Sequence, residues 1–448
     1  MVINNSYLYD PCTLSITDGR IDENKFWNLV SMIEKNDRVA NDILTQLDPN
    51  CVSRCINTIN EINICPTYNC NFRCLYCDAS SVEGSNLVLS IEDIQGFVRD
   101  AIKRWKMGRI INKNKEKLKI NFSGGGEPTY NWQLFVETVL MISDLCKKND
   151  VTYSFGLTSN GSLSNEQLSF ISEHFDTAMI SYDGLPEIQR RNRHSPHIVD
   201  TNQSAVNSIK YLTNRNTVVT VRTTIWQDDI HLLRQMADYI FSTIDENVIW
   251  SIRPAISAGR AFYYISSNKK GMIKENFLTY YLDVVNYVKI NYPRSTVSTP
   301  FFPNDINDFP CGEISLFCDS PCLMPDGKII TCMESNNTFT EIGFVKQGHT
   351  VYYDQFKDQL LENCQKQIVN CQNCLAYNFC KGGCPIRNII SEQTDTTIRD
   401  WECDMIKEYF KFVLTTIANG NRVFGWYAEP VYINGKRVEH IYKIRHQN

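Results

Sequence analysis

A chain of 448 residues with 43% hydrophobic and 21% charged residues can bury a large core and is not expected to be disordered. Its net charge of −5 provides no general attraction to phosphate backbones or anionic membranes, which disfavours nucleic acid and membrane as partners. The N-terminus has no basic segment followed by an apolar one, and no run approaches about 18 apolar residues, so a cytoplasmic location is expected. In that reducing compartment 18 cysteines stay as thiols, and closely spaced ones point to metal.

In chain order, residues 1–60 hold one short extended segment and two helical patterns, Asp22 to Glu34 and Arg38 to Leu47, which read as an N-terminal cap. Apolar, β-rich runs follow at Glu61 to Cys65, Leu118 to Phe122, Tyr153 to Leu157, Ala178 to Ser181, Val218 to Thr223 and Val248 to Ile252. Helical patterns at Ile91 to Arg104, Trp132 to Lys147, Asn165 to His174, Asn202 to Thr213 and Ile230 to Ser242 separate them. This alternation predicts parallel strands with right-handed crossovers, an α/β fold built as a partial (β/α)6 barrel over residues 61–300. In such barrels the loops after the strands carry the chemistry. A helix near Glu275 to Asn291 leads into a Pro- and Asn-rich stretch, Tyr292 to Pro310, expected to be a linker, and residues 301–410 then form a cysteine-rich domain. In the last segment, 411–448, a helix end is followed by Val431 to Val438, where Asn434-Gly435 between alternating residues signals a two-residue hairpin.

Directly after the first strand stands Cys70-Asn-Phe-Arg-Cys74-Leu-Tyr-Cys77. Three thiolates in one loop can hold three irons of a cubane cluster and leave the fourth iron open to a ligand. The bland alternatives are buried thiols or structural zinc, but zinc wants four closed ligands and no fourth is near. After the second strand comes Ser123-Gly-Gly-Gly-Glu-Pro-Thr129, after the third Thr158-Ser-Asn-Gly161, and after the fourth Ser181-Tyr-Asp-Gly184, with Arg193 shortly beyond.

The triad, with aromatic Tyr76 before its last cysteine, resembles the hallmark of the radical S-adenosylmethionine (SAM) superfamily, and Gly124, Gly125, Gly126 and Glu127 resemble its GGE motif. The resemblance spans roughly residues 60–410. It implies a [4Fe-4S] cluster on Cys70, Cys74 and Cys77, with Glu127 accepting the amino group of SAM. Ser159 and Asn160 would face ribose hydroxyls, Ser181 and Arg193 the ribose or carboxylate, and Ile252 to Ile256 the adenine.

The spacing Cys371-x2-Cys374-x5-Cys380-x3-Cys384, with Gly327-x4-Cys332 before it and Cys403 after it, resembles the SPASM domain of peptide-modifying radical SAM enzymes; the rival reading of such pairs is a zinc ribbon. By that resemblance one auxiliary [4Fe-4S] cluster uses Cys311, Cys318, Cys332 and Cys384 and the other Cys371, Cys374, Cys380 and Cys403, three clusters in all. Cys322 is a surplus candidate, either replacing Cys318 or serving as a hydrogen-atom donor. Cys12, Cys51, Cys55, Cys65, Cys146 and Cys364 match no pattern and are expected to be buried, inert thiols.

The function so implied is a maturase of ribosomally made precursor peptides that forms a thioether or carbon-carbon crosslink or epimerises a residue. Its partners would be the precursor peptide, an electron donor such as flavodoxin or ferredoxin, and a separate leader-binding protein. Anaerobic sulfatase maturation is the alternative within the family; there an Asp follows the cysteine of Gly-x4-Cys, whereas this chain has Met333 and then Glu334. From another class, a non-catalytic iron-sulfur or zinc-binding protein would have no use for Gly124 to Glu127.

Overall fold

The computed structural model describes residues 59–111 apart from 78, 80 and 82, together with 117–256, 259–267, 277–299, 320–331, 340–353 and 403–412, and a few short pieces elsewhere. The expected helices of the N-terminal cap lie outside the described residues, where only a strand pair, Val2–Ile3 with Tyr7–Leu8, is seen.

All six expected strands are present: β1 (Glu61–Ile64), β2 (Leu118–Phe122), β3 (Tyr153–Ser159), β4 (Thr177–Ser181), β5 (Val218–Ile225) and β6 (Ile249–Pro254). The helices between them are α1 (Ile91–Ile111), α2 (Trp132–Lys148), α3 (Asn165–His174), α4 (Pro186–Asn192) and α5 (Thr201–Thr213). Their starts are set locally. The Asn131 side chain accepts from Leu134 N ahead of α2, Ser164 and Gln167 form a capping box ahead of α3, and Asp200 caps α5.

The stretch expected as a linker contains a seventh parallel strand, β7 (Thr296–Ser298), paired in register with Ile249 to Ser251 of β6. Three residues beside Pro and Arg give no periodicity to read, and the edge of β6 supplies the pairing that fixes them. The single helix expected at Ile230 to Ser242 is a 3-10 turn (Gln227–Leu232), a short α-helix, α6 (Leu233–Asp238), and a π turn (Tyr239–Ile244). Tyr287 and Tyr292 each donate a 2.7 Å hydrogen bond to Asp238 at that junction, a tertiary tie that apolar spacing does not reveal. Helices α7 (Gly259–Ser266) and α8 (Phe277–Asn291) complete this half.

Beyond residue 320 the strands β8 (Cys322–Leu323), β9 (Lys328–Ile330), β10 (Glu341–Lys346) and β11 (His349–Tyr352) extend the same sheet, whose order is β11-β10-β9-β8-β1-β2-β3-β4-β5-β6-β7. β8 runs parallel to β1, with Cys322 opposite Asn63, so the sheet passes through the expected domain boundary at residue 300. The core lies between sheet and helices: Phe122 of β2 meets Phe135, Phe155 and Phe175 at ring-centroid distances of 5.0, 5.9 and 5.8 Å. Each such buried aromatic contributes about 1.5–3 kcal/mol. The parallel strands therefore hold their C-terminal ends, and the loops that follow, in fixed relative positions. The strands of the expected hairpin, Tyr432–Ile433 and Lys436–Arg437, pair antiparallel, while Asn434 and Gly435 lie outside the described residues.

Candidate active site

At those strand ends lies a cavity of about 380 Å³. Cys70, Cys74, Cys77, Tyr76, Gly124, Gly125, Gly126, Glu127, Ser159, Asn160, Ser181 and Arg193, expected to bind the first cluster or SAM, line it, and of the expected adenine contacts Arg253 to Ile256 do so and Ile252 does not. Those from Cys70 to Arg193 come from the C-terminal ends of β1 to β4, the loops that follow them and the chain just after α4, brought together by the parallel sheet.

The triad loop is clamped by its own backbone and by the chain after α4. Arg73 Nη1 donates to Cys70 O at 2.7 Å, and Arg73 N and Leu75 N donate to His194 O and Asn192 O at 2.8 and 2.9 Å. Burial pushes the Cys70 thiol up to about 12 and the Cys74 thiol up to about 11. A buried thiol of that kind becomes a thiolate only when something takes over its charge, and a metal centre does so. Among the described residues no three His, Cys, Asp or Glu side chains gather round one point as a single metal ion requires. Three thiols in one loop suit a cluster in which each binds a different iron.

The glycine loop passes close under the triad's neighbours. A Cβ on Gly126 would stand 2.4 Å from both Thr67 O and Asn69 O, and Gly124 has φ +124°, so neither position accommodates a side chain. Glu127 is buried, yet both carboxylate oxygens accept hydrogen bonds: from Thr129 Oγ1 at 2.8 Å, Ser159 Oγ at 2.9 Å and Asn160 N at 2.8 Å. Burial raises its pKa against the pull of those donors. Ser159, expected to face ribose, thus spends its hydroxyl on holding Glu127.

Arg193 in the same lining is also buried; its Nε donates to Asp183 Oδ1 at 3.1 Å and its guanidinium carbon lies 5.0 Å from the Tyr76 ring centre. Asp183 also accepts from the Tyr76 hydroxyl at 2.5 Å and Asn192 Nδ2 at 3.2 Å. Sequence reasoning quoted the Ser181 to Gly184 motif but gave Asp183 no role; its acidic identity two residues past a strand end was the available signal.

Residues 64–229 match the Radical SAM superfamily. The barrel is a radical SAM domain. The chain is similar to the cysteine-type anaerobic sulfatase-maturating enzyme of Clostridium perfringens (strain ATCC 13124), 23% identical over 373 residues that span 78% of this chain and 95% of that one. It is also similar to the radical SAM cyclopropyl synthase TigE of Paramaledivibacter caminithermalis, 22% identical over 182 residues, 38% of this chain and 36% of that one. Among solved structures, anSMEcpe with bound AdoMet and Kp18Cys peptide superposes with a TM-score of 0.62 at 16% identity, covering 80% of this chain and 98% of that one. Streptococcus suis SuiB bound to S-adenosylmethionine superposes with a TM-score of 0.55 at 14% identity, covering 81% and 83%.

The family of this domain implies a [4Fe-4S] cluster and SAM, and the cavity suits them: Cys70, Cys74 and Cys77 are its only cysteines among the described lining residues, beside the buried carboxylate of Glu127. Two residues outside the motifs support the glycine loop. Gly125 N donates to Cys65 Sγ at 3.0 Å, and Ser81 Oγ donates to Gly125 O. Cys65 was expected to be an inert thiol; it is buried, as is Cys146, and it also anchors the glycine loop. Cys12, Cys51, Cys55 and Cys364 lie outside the described residues.

The auxiliary ligands are only partly visible, since Cys311, Cys318, Cys332, Cys380 and Cys384 lie outside the described residues. Cys371 and Cys374 form one turn, Cys374 N donating to Cys371 O at 2.9 Å. Lys407 Nζ bonds Asp404 Oδ1 at 3.3 Å, which raises its pKa. Cys322 is buried in β8 with its Sγ 3.6 Å from Met324 Sδ, packed with Cys65 and Ile330, and is not part of the cavity lining. No helix among the described residues is long and apolar enough to cross a membrane.

Proposed function

We propose that this radical SAM enzyme matures a ribosomally made precursor peptide, crosslinking it through a thioether or carbon-carbon bond or epimerising one residue. One observation carries the reading. Ser320 and Thr331, the latter directly before Cys332, line the same cavity as the Cys70 to Cys77 triad. A substrate in that cavity would lie between the SAM site and the block whose cysteines follow the SPASM order. The solved relatives support a peptide, because SuiB was crystallised with precursor peptide SuiA, at a TM-score of 0.51 and 14% identity over 77% of each chain.

When bound, the cluster and SAM supply a 5'-deoxyadenosyl radical able to remove hydrogen from an unactivated C–H bond. The chain's own contribution is placement. Glu127 presents a fixed carboxylate to the SAM ammonium, Gly124 to Gly126 let the backbone approach it, and Arg193 with Tyr76 forms the opposite wall. Cys311, Cys318, Cys332 and Cys384 would hold one auxiliary cluster and Cys371, Cys374, Cys380 and Cys403 the other, with Cys322 an alternative ligand to Cys318, and these would supply an electron acceptor for an oxidative crosslink. Epimerisation would need a hydrogen atom returned to the inverted centre, and Cys322, buried in β8 and not part of the cavity lining, is not placed to give it. The electron donor would be a flavodoxin or ferredoxin, and the leader would be held by a separate protein.

Similarity along 95% of a sulfatase-maturating enzyme favours formylglycine formation as a second reading. The sequence departs from it at Met333, where the resemblance leads one to expect Asp. Co-expression with a neighbouring precursor peptide decides between them: a loss of about 2 Da per crosslink, or an inverted residue at unchanged mass, supports the proposal. Conversion of a sulfatase Cys or Ser to formylglycine, with every precursor peptide untouched, overturns it.

A further inference from the structure

The loop after β4 and the chain after α4 make a buried charge arm that ends on the cluster-binding loop. Asp183 is fully buried and fixed by donors from three directions: the Tyr76 hydroxyl, Asn192 Nδ2 and, at 3.4 Å, the backbone N of Thr224 on β5. Its remaining bond is to Arg193 Nε, which aims the guanidinium across the Tyr76 ring. The far nitrogen, Nη1, reaches 3.8 Å from Cys74 Sγ. The backbone bonds from Leu75 and Arg73 to residues 192 and 194 hold the two segments in this register.

We infer that Asp183 is a positioning residue that holds Arg193 as a hydrogen-bond donor to the Cys74 thiolate, and that this arm raises the reduction potential of the triad's cluster. A cation and N–H donor at a ligating sulfur withdraws electron density and stabilises the reduced, more negative cluster. The planar fork of arginine suits the task, since one nitrogen bonds the carboxylate while another faces the sulfur. The inference rests on the radical SAM reading of the triad and is independent of the substrate proposed above.

The test is an anaerobic redox titration of the reconstituted full-length enzyme in the absence of SAM, followed by electron paramagnetic resonance. The triad's cluster is identified by the change that SAM causes in its spectrum, and iron content reports loading separately. Arg193→Met is expected to lower the midpoint potential by about 59 mV, a tenfold change for one electron. Asp183→Asn is expected to lower it too, because Arg193 loses its anchor. In the Arg193→Met background the same change is expected to raise it, because only an anion is then removed. Should Arg193→Met fail to load iron, Arg193→Lys decides: the charge is kept but the fork is lost, so the potential still falls. An unchanged potential in the arginine variants overturns the inference, and so does a rise on Asp183→Asn in both backgrounds. Lost SAM affinity at constant potential would make Arg193 a SAM ligand and equally overturn it.

Discussion

Two buried carboxylates, Glu127 in the cavity lining and Asp183 behind Arg193, are treated in opposite ways. Glu127 is surrounded by neutral donors, Thr129, Ser159 and the Asn160 backbone, and among the described residues no Lys or Arg pairs with it. Asp183 already holds Arg193. Burying an anion without a counter-charge is costly unless hydrogen bonds offset it. In the SAM-binding role proposed above, Glu127 would keep its shape for a cation that arrives with a ligand, while Asp183 has its cation built in. The two walls look alike in sequence, each an acid beside glycine at a strand end, and differ in what completes them.

The largest expected effect removes the centre that both walls serve. Replacing Cys70, Cys74 and Cys77 by Ala should abolish formation of 5'-deoxyadenosine from SAM, whereas Cys374→Ala or Cys380→Ala should retain cleavage and lose product. Unimpaired product from the last two would break the role assigned to the auxiliary clusters. Iron analysis of the wild type should give about 12 irons per chain and little zinc.

Next, the carboxylates should separate on SAM affinity. Glu127→Gln removes a charged partner of the SAM ammonium, about 1.5–3 kcal/mol, and should weaken binding roughly 10- to 100-fold in calorimetry. Asp183→Asn should weaken it less; equal losses would erase the contrast. Gly126→Ala pushes a methyl against Thr67 O and Asn69 O and should cost about 1–3 kcal/mol of stability, read as a lower Tm with poorer SAM binding.

A pH series sharpens the same point. Burial raises the Glu127 pKa, so its protonation begins above the ordinary carboxylate range. Only the ionised form attracts an ammonium, so SAM affinity should fall as pH falls toward that value, and Glu127→Gln should flatten the profile. In the SAM-free protein the sign reverses: a raised native pKa means the fold binds the proton more tightly than the unfolded chain, so this group's contribution to stability grows as pH falls. The smallest effect is expected at Cys65→Ala, where Gly125 N loses its acceptor. A loss of about 1 kcal/mol with full iron loading would separate this supporting thiol from the ligating ones.

Much of this site is local and so readable in the chain. The triad spacing, the glycine run ahead of Glu127 and the apolar alternation of Leu118 to Phe122 each depend on neighbours within a few residues, and the strands and lining residues they predict are found in place. Partners distant in sequence were hidden. Nothing near Ser159 says that its hydroxyl belongs to Glu127, 32 positions earlier, and nothing near Tyr76 points to Asp183, 107 positions later. The strand Thr296–Ser298 was hidden for the same reason, because its pairing partner rather than its own pattern makes it extended.

What the sequence set out by itself was the local chemistry: a three-thiol loop, a carboxylate after a glycine run and an ordered set of further cysteines. Only the tertiary structure decided which acid waits for a ligand and which is already paired. It also joined Cys322–Leu323 to the first barrel strand, so that one cavity touches both halves of the chain. The physical reason is that ligand spacing is imposed within a loop, whereas the partner of a buried charge is chosen by which strand ends the sheet brings together.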